Sequence, residues 1–139
     1  MSPNKMERFK PLDHPSDVGI FAYGKERKEI FENAAYGMFS LMADLGRVES
    51  KKVFNIKVEG DDPESLLINW LNELIFYEDG KKILLKDFKI KKMTDTRLEA
   101  ETAGEKIDMN RHFVYRPIKA ATYNQLQISK NQAKIIFDV

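Results

Sequence analysis

The chain has 139 residues, 42% of them hydrophobic and 32% charged, with 9 Phe, 1 Trp and no cysteine. This excludes a disordered chain, and it excludes disulfides, zinc fingers, iron–sulfur clusters and thiol nucleophiles. The net charge of +1 is unevenly spread, with six acids and no base in 61–80 and seven bases against two acids in 81–97; a global field that captures nucleic acid is therefore not expected.

The length predicts one domain over 1–139 with a core of its own. The first ten residues hold no apolar run and no segment nears the ~20 apolar residues of a membrane span, so the expectation is a cytoplasmic protein without a membrane partner.

Val18 to Tyr23 reads as a strand ending at Gly24. Ile30, Phe31, Ala34, Ala35, Met38, Phe39, Leu41 and Met42 then recur near the 3.6-residue period of an amphipathic helix, predicted from about Lys25 to Leu45 with Gly46 just past its end. Val53 to Glu59 alternates as a strand with one wet face. Gly60-Asp61-Asp62-Pro63 leads into a second helix, with Asp62 as its cap, Pro63 at its first position and Asp79-Gly80 at its end. Its apolar stripe is Leu66, Leu67, Trp70, Leu71, Leu74 and Ile75.

Ile83 to Met93 and Arg97 to Ala103 read as two strands, followed by a turn or bulge at Gly104-Glu105. The lysines of 81–97 admit two readings, an RNA footprint or the charged guard of a strand edge; Phe88 is the only ring there, which is thin for a stacking platform. The chain looks strand-like again from His112 through Tyr123. A hairpin follows, Gln125 to Ser129 and Ala133 to Asp138. These elements predict an α+β fold, a mostly antiparallel or mixed sheet covered by two amphipathic helices.

No metalloprotease HExxH, GxSxG elbow, Walker loop or GxGxxG fingerprint is present, which counts against autonomous catalysis. Two acids sit unusually. Asp17 opens the first strand, and Asp138 follows the apolar run Ile135-Ile136-Phe137. Each alone reads as a strand end reaching water. Together with the terminal carboxylate of Val139 they supply hard oxygens that suit calcium or magnesium rather than zinc or copper. Periodicity does not bring the two acids together. Lys119, between Ile118 and Ala120, reads as a wet-face lysine or as an anion contact.

Several segments resemble the archease family. They are Leu12-Asp13-His14-Pro15-Ser16-Asp17-Val18-Gly19-Ile20, Phe31-Glu32-Asn33-Ala34-Ala35, the run from Leu66 through Trp70 to Leu74, the pairs Gly104-Glu105, Ile107-Asp108 and Arg111-His112, Ile118-Lys119-Ala120-Ala121-Thr122-Tyr123, and Ile136-Phe137-Asp138-Val139. The matches run in order from residue 9 to 139. The resemblance implies an accessory protein rather than an enzyme, one that promotes guanylylation and turnover of the GTP-dependent tRNA-splicing RNA ligase. It also implies a chaperone-like link to a tRNA methyltransferase, with weak or indirect nucleic acid contact.

Carried over, the family's calcium ligands are Asp17, Asp138 and Val139, with magnesium or manganese as alternative hard cations. The resemblance also points to Lys119 and His14. Two positions depart from the family pattern. Pro15 stiffens the approach to Asp17, and Asn124 stands where the family commonly has His, so a proton-transfer role there is not carried over. An autonomous metal-dependent phosphoester hydrolase, or a tRNA-binding or chaperone module, are the alternatives.

Overall fold

A computed structural model describes residues 7–13 and 16–139. His14 and Pro15 lie outside the described residues. The element order is β1 (Phe9–Pro11), β2 (Val18–Tyr23), α1 (Arg27–Met42), β3 (Lys52–Glu59), α2 (Pro63–Lys81), β4 (Ile83–Met93), β5 (Arg97–Lys106), β6 (Ala120–Ile128) and β7 (Gln132–Asp138). The fold is α+β with antiparallel strands and two helices, as the sequence predicts.

The strands divide into two sheets instead of sharing one. One has the order β1-β2-β7-β6 and the other β3-β5-β4. Both helices touch both sheets: α1 packs on β1, β2, β7 and β4, and α2 on β3, β4, β5 and β6. A helix with a sheet on two sides must be apolar around more than one stripe. Accordingly α2 buries Ile68 and Tyr77 in addition to the stripe of Leu66, Leu67, Trp70, Leu71, Leu74 and Ile75. Trp70 is fully buried, and its indole N–H donates to the Phe31 carbonyl of α1 at 3.0 Å. That bond satisfies the one polar atom of the largest core side chain and fixes the two helices against each other.

The start of α2 follows its sequence signature. The Asp62 carboxylate accepts from the Ser65 N–H at 2.8 Å, and the Ser65 hydroxyl accepts from the Asp62 N–H at 3.1 Å, a reciprocal cap with Pro63 behind it. Its end does not. The helix runs past Asp79-Gly80 to Lys81, and Lys82 takes the left-handed cap position at φ 59°. The first helix is shorter than expected. It stops at Met42 because Ala43 turns extended and bridges Val114. Gly46 falls instead in a 3-10 turn, Leu45–Arg47, with its N–H held by the Asp44 carboxylate at 3.0 Å.

Two further expectations change. Of the turn or bulge expected at Gly104-Glu105, no turn forms: the pair ends β5, and the bulge falls in the facing strand β4, where Leu85 pairs with Gly104. A Cβ on Gly104 would lie 1.9 Å from the Leu84 carbonyl oxygen, so only glycine lets these strands approach. Residues 112–119 are not a strand. They cross from one sheet to the other, held by the Tyr115 N–H to Met42 O (2.7 Å) and the Asp44 N–H to Phe113 O (3.0 Å). The strand β1 has no sequence signal of its own, being three residues that are mostly exposed.

Candidate functional site

The four-stranded sheet gathers one end of three strands. In β2 and β7 the antiparallel register pairs Val18 with Phe137, so Asp17 and Asp138 occupy the next positions of neighbouring strands. In β6 and β7 Ala120 pairs with Asp138, and the Lys119 N–H donates to the Asp138 carbonyl at 2.7 Å. Lys119 therefore sits beside Asp138 through the backbone, while its side chain is exposed. Asp17 is half-buried, and Asp138 and Val139 are exposed.

Glycine makes this closeness possible. Gly19 pairs with Ile136, and a Cβ there would meet the Ile135 carbonyl oxygen at 2.3 Å. β6 is an edge strand, yet its start does not fray freely. Asn72 of α2 turns its amide onto Ala121, accepting the N–H at 2.8 Å and reaching the carbonyl at 3.5 Å, much as a neighbouring strand would. The Thr122 hydroxyl adds a bond to Ile136 O at 2.8 Å.

Asp17 and Val139 line an open depression of about 510 Å³ together with Arg116 and the apolar Leu12, Val18, Leu41 and Pro117. Among the described residues no three His, Cys, Asp or Glu side chains cluster to hold a metal. The donor set on offer is two carboxylates and the oxygens of Val139, all hard. That chemistry fits a calcium- or magnesium-type ion, which takes six or more oxygens, with the remaining positions open to water or a partner. His14, the further candidate, lies outside the described residues.

A second polar cluster escaped the sequence reading except as matched segments. Glu105 and His112 are buried, at 4% and 5% exposure. The Asp108 N–H donates to His112 Nδ1 at 2.8 Å, so the ring carries its proton on Nε2 and donates to Glu105 at 2.9 Å. Glu105 also accepts from the Glu49 N–H at 2.8 Å and pairs with Arg111. Burial by itself would raise the Glu105 carboxyl. The bonds from Glu49, His112 and Arg111 outweigh it and hold the group at about 2, below the ordinary 4.5. Arg111 is raised in turn, first by its bond to Glu105. This clasp fastens the 107–119 segment, which ends at Lys119, onto the end of β5.

The archease protein family matches residues 9–139 of the chain. Protein archease of Sulfurisphaera tokodaii is 38% identical over 127 residues, covering 88% of this chain and 89% of that protein. Protein archease of Pyrococcus abyssi is 37% identical over 128 residues, covering 90% of each. The solution structure of Methanobacterium thermoautotrophicum protein 1598 superposes with a TM-score of 0.78 at 33% identity, covering 96% of this chain and 100% of that one. The chain belongs to the archease family. Membership supports an accessory role in RNA processing, in association with an RNA ligase, at the level of the family. Among the described residues no helix is long and apolar enough to cross a membrane.

Proposed function

We propose that this protein activates a GTP-dependent tRNA-splicing RNA ligase by promoting guanylylation of the ligase's active-site histidine, with a divalent cation, calcium by preference, held by Asp17, Asp138 and Val139. The observation that carries the reading is the strand register that sets Asp17, Asp138 and Lys119 at one sheet end. Guanylyl transfer builds negative charge on phosphate oxygens. A bound cation supplies charge stabilisation there. Lys119, exposed beside the carboxylates, contributes a mobile ammonium to the same phosphates. With one oxygen from each carboxylate, Asp17, Asp138 and Val139 would fill only part of the six or more positions a hard cation takes, leaving such a site open toward the partner's nucleotide.

A stand-alone phosphoester hydrolase is the weaker reading. His112 is the only histidine among the described residues, and both its ring nitrogens are engaged, with Asp108 and Glu105. No imidazole among the described residues is thereby left to act as a general base. The link to a tRNA methyltransferase rests on the family resemblance, and no feature of the site favours it over the ligase.

Single-turnover guanylylation of a cognate ligase tests the reading. The wild-type protein is expected to accelerate it, and Asp138→Ala and Lys119→Ala to lose most of that acceleration while melting normally. Equal stimulation by wild type and Asp138→Ala removes the carboxylate pair from the mechanism.

A further inference from the structure

The three-stranded sheet carries a cluster of lysines that the carboxylate site does not use. Lys52 opens β3, Lys106 closes β5, and Lys81 and Lys82 lead from α2 into β4. Register draws them together. Lys52 pairs with Gly104 and Ile83 with Lys106, while the Ile107 N–H donates to Lys82 O at 2.8 Å. All four lysines line one open depression of about 530 Å³, and no acidic residue lines it. Among the described residues none of the four forms an ion pair, whereas the adjacent Lys51 bridges Glu49 and Glu105.

Aromatic rings border the same lysines. Lys81 Nζ stands 4.7 Å from the Tyr77 ring centroid and 5.8 Å from that of Phe76. Phe54 lines the depression and packs edge-on against Tyr77 at 5.3 Å. Phe76 is 53% exposed.

Plainer roles account for part of this. Lysines complement the negative end of a helix, which covers Lys81 and Lys82. They guard edge strands, which covers Lys52. Neither role applies to Lys106, at the end of the central strand β5. Neither places lysines from separate strands and a helix end around one depression. Lys82 has the Glu78 carboxylate as a charged neighbour, whereas Lys52, Lys81 and Lys106 have no ion-pair partner among the described residues, so the depression keeps a net positive charge that an anion would offset. Glu78 and Asp79 lie just before Lys81 on α2 but do not line the depression.

We propose that this depression binds the phosphate backbone of a single-stranded RNA, with the Phe76 ring available to stack a base. Charge complementarity supplies the affinity, and an exposed ring beside ammonium groups is the arrangement that tolerates any base. The sequence stretch 81–97 contributes only its first two lysines. Lys86 turns to the Val48 carbonyl at 2.9 Å, and Lys91 pairs with Glu101.

The test is fluorescence anisotropy with a short labelled single-stranded RNA in EDTA across a salt series. No ligase or cation is present, so the result stands apart from the carboxylate-site reading. Each lysine on a single strand contributes about 0.7 to the slope of log affinity against log salt. The Lys52→Ala/Lys106→Ala double variant should therefore lose about 1.4 in slope. Phe76→Ala should weaken binding at unchanged slope. Lys57→Ala/Lys130→Ala, both exposed sites outside the cluster, should match wild type. Because the cluster is self-repelling, Lys106→Gln and the double variant should melt at or above the wild-type temperature. Absence of RNA binding at low salt overturns the proposal, as does equal loss in the double and control variants. So does lysine-dependent binding of polyglutamate without binding of RNA, which would make the surface one for an acidic protein.

Discussion

Replacing Glu105 with Gln keeps the side chain's shape and removes the charge on which three donors converge. The Glu49 N–H, the His112 Nε2–H and the Arg111 guanidinium all end on this carboxylate. An amide offers one acceptor oxygen, so at least one donor then faces an NH₂ group. A hydrogen bond to a charged group contributes about 1.5–3 kcal/mol, and leaving a buried donor unmet costs about 1–3 kcal/mol. The expected loss is thus about 2–4 kcal/mol, which for a chain of this size lowers Tm by roughly 10 °C.

The pH profile gives a sharper test. Glu105 is held at about 2 in the folded protein against an ordinary 4.5. A carboxyl depressed on folding contributes stability that is fully present above the unfolded value and is lost as pH falls through the folded one. Wild-type Tm should therefore fall more steeply than that of Glu105→Gln between pH 4.5 and 2, and the two curves should converge. Differential scanning calorimetry across that window measures it. Parallel curves, or a variant that melts within about 2 °C of wild type at pH 7, would show that Glu105 is not the ionised anchor of the clasp.

Gly104→Ala would drive a methyl into the Leu84 carbonyl, a backbone atom with nowhere to retreat, and should cost about 3 kcal/mol or more by denaturant unfolding. Trp70→Phe keeps most of the buried ring and removes only the indole bond to the Phe31 carbonyl, which still accepts within α1, and should cost about 0.5–1.5 kcal/mol by the same assay, plus a term for the space the smaller ring leaves. Asn72→Ala releases the Ala121 backbone and should speed amide exchange at Ala121 selectively, with exchange at the centre of α2 unchanged.

Elements with local signals were legible in the sequence. Asp62, Pro63 and the stripe from Leu66 to Ile75 fix α2 because cap and periodicity act within a few residues. Local reasoning failed where distant chain segments decide. Gly104 reads equally as a turn or a bulge glycine until Leu84 lies against it, and the helices look one-faced until a second sheet covers them. Ala43, not Gly46, ends α1, since its bridge to Val114 is a long-range contact. The clasp of Glu105 and His112 joins residues without any familiar motif spacing, and only their place in matched segments singled them out. The acids at 17 and 138 were visible as oddly placed residues, while their closeness is a matter of register that no periodicity encodes.

That Asp17 and Asp138 share a divalent cation is tested most directly by melting the protein in EDTA and in millimolar calcium. An ion that binds only the folded state at a hundredfold excess over Kd adds about 2.7 kcal/mol, roughly 10 °C here. Wild type and Asp61→Asn should show that rise, and Asp17→Asn and Asp138→Asn should not. No calcium response in wild type, or a response that survives in Asp138→Asn, would contradict a shared ion at these strand ends.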